Sequence, residues 1–338
     1  MAGQVFVSGG SGYIAGFLIK QLIAEGWTVH TSIRNLAREE EVRGWLGVDN
    51  SKLKFFAADL MSDDGWANAM AGCTHVAHVA SPLPSNAPKS DDELIVPARE
   101  GALRALRFAH AAGIKRFVMT SSVAAIAYGH GKGKQHFNEA DWTNVDSPDA
   151  YAYVKSKTIA ERAARDWVAA NAPEMEFVTV NPSLVLGPLL AADFSTSLES
   201  IKKLLDGSLP GLPNLGFSVV DVRDVADLHV RCLNAPNMAG ERFVAAGPFL
   251  WMREIGSILK EGLGPDGKKV PTRGLPNFLV RLSALFDPVI KQVVGELDNV
   301  RDTSAQHAKD VLGWQTRDPK ESILDTARDM IRLGLVKT

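Results

Sequence analysis

The chain lacks the features that would place it outside a reducing, aqueous compartment. It has two cysteines in 338 residues, Cys73 and Cys232, both in apolar surroundings and without a pairing pattern. Such cysteines are typical of reduced core thiols in cytoplasmic proteins. We expect no signal peptide, because a strand pattern begins by Gln4. No apolar run is long enough to cross a bilayer, so we expect a cytoplasmic protein with no membrane partner.

A strong charge of one sign is also absent. Lys and Arg number 37 against 39 Asp and Glu, for a net charge of −2, and no basic run suggests a nucleic-acid partner. His75 and His78 are three apart on a predicted strand, so they face opposite sides. No other grouping has the spacing of metal ligands, and we expect no metal. The length suggests two domains, or one large domain with an appendage.

A glycine-rich turn between a strand and a helix is the first positive signal. The apolar run Gln4–Ser8 leads into Gly9-Gly-Ser-Gly-Tyr-Ile-Ala-Gly16, and a helical pattern continues to Glu25. The glycines fit two registers, Gly10-x-Gly12 or Gly9-x-x-Gly12, each followed by Ala15. Glycine permits a positive φ and a close approach of the backbone to a pyrophosphate, which the helix N-terminus also attracts. The turn predicts a dinucleotide site; the alternative is an ordinary glycine turn.

The end of the second predicted strand indicates which dinucleotide would bind. An NAD-selective site usually has an acidic residue about 20 residues after the glycines, but this chain has Ser32, Ile33 and Arg34 there. Arg38 follows one helical turn later. A guanidinium matches a 2′-phosphate with forked hydrogen bonds, so we expect NADPH. The alternative is that Arg34 is a surface residue at a strand end.

Other predicted strands also end in polar or pocket-forming residues. The third ends at Asp59, which is placed either to accept from an adenine amino group or to cap a helix. The fifth ends at Ser122, a candidate to hydrogen-bond a substrate carbonyl. The sixth leads into Pro182 and Val185, candidates to cover a nicotinamide face. These strand ends should share one edge of a parallel sheet, the edge that binds ligands.

One predicted helix carries two Tyr–Lys pairs at a spacing of four residues, Tyr151–Lys155 and Tyr153–Lys157. Residues four apart on a helix are neighbours. The second pair shares its face with small and apolar residues, whereas the first shares a polar face. The polar residues are Thr158, Arg162 and Asp166. We therefore predict that Tyr153 and Lys157 form the working pair, although the spacing also occurs by chance.

The chemical value of this pair lies in the pKa of the phenol. A free phenol has a pKa near ~10, and a neighbouring ammonium lowers a pKa by roughly 1–3 units. A Tyr in that range serves as a general acid or base, which contributes about 10²–10⁴-fold in rate.

Residues 123–148 are predicted to form a loop over the site. Phe137 and Trp142 are candidates to wall a pocket. Strand and helix patterns alternate from residue 4 to 181, which predicts a doubly wound parallel sheet. Later strands, within about 217–250, are predicted to rejoin that sheet.

Together these motifs resemble the extended short-chain dehydrogenase/reductase family. The resemblance is greatest to its dihydroflavonol 4-reductase-like branch of NADPH-dependent aldehyde and ketone reductases, which includes methylglyoxal and cinnamoyl-CoA reductases. The stretches that carry it are Ser8–Ala15, His78–Pro82, Thr120–Ser122, Tyr153–Glu161, Asn181–Pro188 and Asp221–Ala226. They cover about the first 230 residues in family order. Val123-Ala-Ala departs from the commonest residues after the Ser pair, and the 123–148 loop and the C-terminal third match poorly, so the substrate stays open.

The resemblance implies an α/β fold, a doubly wound parallel (Rossmann) sheet with a smaller mixed C-terminal substrate-binding cap. Residues 1–182 would form the dinucleotide-binding domain, with about 217–250 rejoining it, and 183–338 would be mainly the cap. The implied catalytic residues are Ser122, Tyr153 and Lys157. The implied cofactor-binding residues are Gly9, Gly12, Tyr13, Ile14, Arg34, Arg38, Asp59, Leu60, Val79, Ala80, Ser81, Tyr153, Lys157, Pro182, Val185 and Ser197.

The implied reaction is hydride transfer from NADPH to a small-molecule aldehyde or ketone, in a monomer or homodimer. Tyr153 would donate the proton, Lys157 would lower the pKa of Tyr153 and bond the nicotinamide ribose, and Ser122 would polarise the carbonyl. The alternatives within enzymes are a nucleotide-sugar epimerase and a 3β-hydroxysteroid dehydrogenase. The non-enzyme alternative is an NADP-sensing regulator, and such proteins typically lack the Tyr–Lys pair.

Overall fold

A seven-stranded sheet forms the centre of the fold in the computed structural model, which describes residues 3–82, 88, 90–131, 133–192, 198–286, 290 and 294–337. The strands of the described chain are β1 Gln4–Val7, β2 Thr28–Ile33, β3 Leu53–Ala57, β4 His75–His78, β5 Arg116–Thr120, β6 His136–Phe137, β7 Glu176–Pro182, β8 Leu184–Leu186, β9 Leu212–Pro213, β10 Gly216–Asp221, β11 Arg242–Ala245, β12 Phe249–Trp251, β13 Gly274–Leu275 and β14 Asp302–Thr303. The central sheet has the order β11-β7-β5-β4-β1-β2-β3, and every neighbouring pair is parallel. The chain order reverses between β1 and β4, so a ligand crevice is expected beyond the carboxyl ends of these two strands.

Helices cover both faces of this sheet. The α-helices of the described chain are α1 Tyr13–Ala24, α2 Glu39–Leu46, α3 Trp66–Met70, α4 Asp92–Ala111, α5 Ala152–Asn171, α6 Glu199–Leu205, α7 Val222–Asn234, α8 Met252–Leu263, α9 Asn277–Ser283, α10 Gln306–Leu312 and α11 Pro319–Arg332. On β1, Val5 and Val7 enter the core beneath α1, α2 and α7, whereas Phe6 enters the core beneath α3, α4 and α5. Successive strand residues point to opposite faces, so one apolar strand supplies both cores. The doubly wound parallel fold is confirmed.

The C-terminal part builds a smaller mixed assembly. Strands β12, β10 and β8 form a three-stranded sheet, antiparallel between β10 and β12 and parallel between β10 and β8. Helices α6, α8 and α11 pack around it in a core of their own. The division of the chain near residue 182 into a dinucleotide-binding domain and a cap stays a prediction.

One expectation about the later strands was wrong. We expected both strands within 217–250 to rejoin the central sheet, but only β11 does, beside β7. β10 pairs instead with β8, which follows β7 in the chain. The physical reason is that β11 and β5 occupy both edges of β7, so β10 finds its partner on the segment that continues beyond it.

Helix α5 packs against α4 and buries small residues such as Ala160 and Ala164. On the face expected to be solvated, Arg162 and Asp166 are exposed, but Thr158 is buried. Its hydroxyl donates to the Val154 carbonyl oxygen at 2.8 Å, which removes the cost of burying it.

Cys73 and Cys232 are both free and buried, as the apolar surroundings predicted.

None of the helices in the described ranges is long and apolar enough to cross a membrane.

Candidate active site

A cleft of about 600 Å³ opens where the parallel strands of the central sheet end. Residues that follow β1, β2, β3, β4, β5 and β7 line it, together with the first turns of α1 and α5. Its volume lies within the usual range for small-ligand sites. Among the described residues that line it, Arg34 and Lys157 are basic and Asp59 is the one carboxylate, so the cleft favours an anionic ligand.

The glycine turn after β1 forms one wall of the cleft. Gly9 has φ +74°, and its N–H donates to Ser32 Oγ at 3.0 Å. Gly9 and Gly12 line the cleft, whereas a Cβ on Gly10 would lie 2.2 Å from Thr31 Oγ1. The register Gly9-x-x-Gly12 therefore faces the ligand, and Gly10 is required for packing on β2.

Helix α1 begins at Tyr13 without a side-chain cap. The first N–H groups of a helix have no intrahelical acceptor, and the helix dipole is positive at this end. The start of α1 therefore suits a pyrophosphate, with the two glycines allowing the backbone to come close.

Gly9→Ala tests the conformation of this turn. A Cβ at residue 9 would lie 3.0 Å from the Ala80 Cβ, and φ would remain positive. We expect the free energy of unfolding to fall by about 2 kcal/mol or more, since an L-residue in this region costs about 1–2 kcal/mol before any clash. The matched control is Gly47→Ala, whose φ is +58° with no atom within 4 Å of the added Cβ. Urea unfolding should show the smaller loss in the control, and equal losses would contradict a close approach to Ala80.

At the end of β2, Ser32, Ile33 and Arg34 all line the cleft. Arg34 is exposed, and within the described ranges no side chain pairs with it. Arg38 does not line the cleft, because its guanidinium is held by Glu41, with Nε and Oε2 2.9 Å apart. The structure therefore brings one of the two predicted arginines to the site.

Asp59 lies in the cleft, but one of its oxygens is already engaged. Oδ1 accepts from the Met61 N–H at 2.8 Å and closes a local turn. This bond closes a turn and does not cap a helix, since α3 begins only at Trp66 after Gly65. Leu60 lines the cleft beside it. The adenine contact of Asp59 and the cofactor contact of Leu60 stay predictions.

The end of β4 is held by a buried hydroxyl. Ser8 Oγ accepts from the N–H groups of Val79 at 3.0 Å and Ala80 at 2.9 Å. Its own hydrogen is then free for His78 Nδ1, 3.0 Å away. Burial lowers the pKa of His78 to about 3, with Lys157 adding to the shift, so His78 is a neutral positioning residue for the segment up to Ser81.

Throughout the described ranges, no cluster of three or more His, Cys, Asp or Glu side chains is suited to hold a metal ion.

Ser122, Tyr153 and Lys157 meet in the cleft. The side chains of Ser122 and Tyr153 are hydrogen-bonded, and Ser122 Oγ also accepts from the Ala124 N–H at 3.1 Å. Lys157 Nζ donates to Ser81 Oγ at 2.9 Å and lies 5.8 Å from the centre of the Tyr153 ring. The other pair is elsewhere: Lys155 binds Asp91 at 2.7 Å, and neither Tyr151 nor Lys155 lines the cleft.

The pKa of Tyr153 differs from the expectation. Burial raises it above the ordinary value, and the hydrogen bond with Ser122 lowers it only in part. Burial therefore outweighs the lowering expected from Lys157, whose Nζ lies 5.8 Å from the centre of the Tyr153 ring and donates to Ser81 Oγ. The phenol therefore keeps its proton at neutral pH, which suits a proton donor.

Lys157 is itself perturbed. Burial lowers its pKa to about 8, and the nearby Glu161 carboxylate opposes the shift. Its ammonium is therefore mostly charged at neutral pH and loses the charge just above it.

Two expected pocket walls were wrong. Phe137 is buried with Ile126 and Val244, and Trp142 lies against Arg242, whose guanidinium is 3.9 Å from the ring centre. Neither lines the cleft. Phe137 lies in β6, which pairs with β14, and its ring is buried in the protein core.

The remaining predicted site residues line the cleft, except Ser197, which lies outside the described residues. The predicted residues that line it are Gly9, Gly12, Tyr13, Ile14, Arg34, Asp59, Leu60, Val79, Ala80, Ser81, Ser122, Tyr153, Lys157, Pro182 and Val185. Sequence reasoning missed Ser11, Trp66, Pro97, Thr120, Ser121 and Ser183, which also line it. Four of these residues lie inside the sequence motifs quoted above, so the sequence could have indicated them: Ser11, Thr120, Ser121 and Ser183. Trp66 and Pro97 come from α3 and α4, where no local pattern indicates a ligand.

The family model of the NAD dependent epimerase/dehydratase family matches residues 5–246. The chain belongs to this family. It is an NAD(P)-dependent oxidoreductase of the extended short-chain dehydrogenase/reductase type.

Individual relatives agree with this class. The chain is 36% identical over 244 residues to cinnamoyl-CoA reductase CAD2 of Medicago truncatula, covering 70% of this chain and 74% of the relative. It is 34% identical over 337 residues to cinnamoyl-CoA reductase 1 of Arabidopsis thaliana, covering 98% and 90%. The crystal structure of yeast methylglyoxal/isovaleraldehyde reductase Gre2 complexed with NADPH superposes with a TM-score of 0.82 at 25% identity, covering 98% of this chain and 99% of that one.

Proposed function

We propose that this protein is an NADPH-dependent carbonyl reductase that converts an aldehyde or ketone to the alcohol. The observation that carries the proposal is the grouping of Ser122, Tyr153 and Lys157 in the cleft, with a phenol whose pKa is raised by burial. A reductase needs a proton donor that is protonated at neutral pH, and Tyr153 meets this requirement.

The residues of the cleft fit NADPH from end to end. The turn of Gly9 and Gly12 and the start of α1 would hold the pyrophosphate. Arg34 would hold the 2′-phosphate, since no carboxylate stands at the end of β2 to bond a ribose hydroxyl instead. Lys157 and Ser81 would hold the nicotinamide ribose. Pro182 and Val185 would keep water from the nicotinamide face.

The protein's own part in the reaction is to bind the carbonyl oxygen and supply a proton. When bound, NADPH supplies the hydride that reduces the carbonyl carbon. Ser122 and Tyr153 donate hydrogen bonds to the carbonyl oxygen, where negative charge develops, and donors placed in advance stabilise that charge. Tyr153 then gives up its proton, and the Lys157 ammonium stabilises the phenolate that remains.

Names of the relatives indicate the substrate class. Cinnamoyl-CoA reductases and a methylglyoxal/isovaleraldehyde reductase are named for carbonyl compounds. We therefore propose a small aldehyde, ketone or activated carbonyl as substrate. A cytoplasmic location and a monomeric or homodimeric state stay predictions.

The test is a spectrophotometric assay of NADPH consumption by the purified protein. The panel comprises aldehydes, diketones, ketoesters, dihydroflavonols and aromatic acyl-CoA thioesters. We expect consumption with at least one class, and a roughly 10- to 100-fold preference over NADH, as a charge-assisted contact to the 2′-phosphate predicts. If none of the carbonyl compounds in the panel causes NADPH to be consumed, the proposal is contradicted. Tightly retained NAD with interconversion of nucleotide sugars would favour the epimerase instead.

A further inference from the structure

Glu161 is a fully buried carboxylate that the proposed mechanism does not use. Its exposed fraction is 0%, and it lies one helical turn beyond Lys157 on α5. Burying an ionised carboxylate is costly unless it is paired and hydrogen-bonded. Its position directly after the Lys157 turn therefore calls for an explanation.

Glu161 is bonded to the ends of two central strands. Its Oε2 accepts from Ser121 Oγ at 2.5 Å and from Asn181 Nδ2 at 2.8 Å. Its Oε1 accepts from Thr179 Oγ1 at 3.2 Å. Asn181 Nδ2 also donates to the Ser122 carbonyl oxygen at 3.1 Å. The carboxylate thus joins the helix that carries Tyr153 to the strand end that carries Ser122.

Two arginines are paired with Glu161. Arg242 Nε lies 2.7 Å and Arg165 Nε 3.3 Å from Oε1. Arg242 also donates to the Glu139 carbonyl oxygen at 2.9 Å and packs on Trp142. Burial alone would raise the pKa of Glu161, but Arg242 and Arg165 hold it below the ordinary value. Glu161 is therefore negatively charged at neutral pH.

We propose that Glu161 is a positioning residue whose negative charge keeps the buried Lys157 ammonium protonated at neutral pH. The proposal rests on the proposed function, because it explains how the charge that stabilises the Tyr153 phenolate is maintained. The groups that face Lys157 are Tyr153 and Glu161 from α5, Ser81 after β4, and the neutral His78 from β4. Of these, Glu161 is the one that carries a negative charge at neutral pH.

The sign of the effect follows from the surroundings of Lys157. Burial disfavours the ammonium, and Glu161 favours it. Arg165 and Arg242 are paired with Glu161, and by Coulomb's law their positive charges oppose the effect of Glu161 on the Lys157 pKa. Removing Glu161 should therefore lower the pKa of Lys157, and removing Arg165 should raise it.

The first measurement is the alkaline limb of the pH profile of kcat/KM for NADPH-dependent reduction. In the wild-type protein we expect activity to fall above pH about 8, as Lys157 loses its charge. In Glu161→Gln we expect that limb to move down by about one pH unit or more, the usual effect of a close opposite charge. Activity at pH 7 would then drop roughly twofold for a shift of one unit, or about tenfold for a shift of two, and recover in more acidic buffer.

Two variants separate the charge of Glu161 from its hydrogen bonds. Ser121→Ala removes the 2.5 Å hydrogen bond but no charge, so its alkaline limb should stay where it is in the wild type. Arg165→Gln removes a positive charge and should move the limb upward. A purely structural role for Glu161 predicts no such opposite shifts.

A second readout does not depend on activity. The Lys157 side-chain signal, assigned by its loss in Lys157→Arg, is titrated by carbon NMR in the wild type and in each variant. A lower Lys157 pKa in Glu161→Gln together with a higher Lys157 pKa in Arg165→Gln supports the proposal. An unchanged Lys157 pKa in both variants overturns it. If Glu161→Gln does not fold, Arg165→Gln alone decides, since no upward shift overturns the proposal. If the wild-type protein reduces no carbonyl but the two variants show these shifts in the Lys157 pKa, the proposed function is contradicted and this inference is still supported.

Discussion

Tyr153→Phe is expected to lower kcat at least ~100-fold while NADPH binding stays nearly intact, because only the proposed general acid is removed. The ring remains in place, since its packing against Tyr151, with ring centres 6.5 Å apart, does not involve the hydroxyl group. Ser122 would still bind the carbonyl oxygen, so substrate affinity should change little.

The matched control for this variant is Tyr151→Phe. Tyr151 loses a hydrogen bond with Tyr128 but has no place in the cleft, so kcat should stay within a few-fold. The measurements are kcat with a carbonyl substrate from the panel and the Kd for NADPH by fluorescence. Full activity in Tyr153→Phe with loss in Tyr151→Phe would show that the other Tyr–Lys pair does the chemistry.

Arg34→Glu is expected to shift the ratio of kcat/KM for NADPH to that for NADH roughly 10- to 100-fold toward NADH. A hydrogen bond to a charged group contributes about 1.5–3 kcal/mol, and the new carboxylate would repel the 2′-phosphate. Because Arg34 is exposed and lies at the rim of the cleft, the substitution should not disturb the fold.

Arg38→Glu is the comparison for this variant. Arg38 is engaged with Glu41 outside the cleft, so its shift in cofactor preference should be smaller. An unchanged ratio in Arg34→Glu would remove Arg34 from the phosphate site. A larger shift in Arg38→Glu would mean that the second arginine takes that role.

Much of the site could be predicted because its signals are local in the chain. The glycine turn, the lack of an acid after β2 and the helix face of Tyr153 each depend on neighbours within a few residues. In a parallel sheet such strand ends meet at one edge, so local motifs become one cleft. The resemblance to a known family added Val79, Ala80 and Ser81, which the residues alone did not single out.

The expectations that were wrong concern contacts between distant parts of the chain. The strand with which β10 pairs depended on which edges of β7 were already paired. Trp142 was turned from the pocket by Arg242, one hundred residues away in the chain. Arg38 forms an ion pair with Glu41 and does not line the cleft. Sequence spacing alone does not show whether an arginine pairs with a neighbouring carboxylate or faces a ligand.

From its sequence alone, the chain determined the parallel α/β fold, the dinucleotide crevice and the residue types gathered there. Only the tertiary structure decided the protonation of those residues. The pKa of Tyr153 is raised and that of Lys157 lowered by burial, and Glu161 reaches both strand ends only once α5 has docked on the sheet. Burial and charge–charge distance are properties of the packed molecule, and neither can be read from the order of residues.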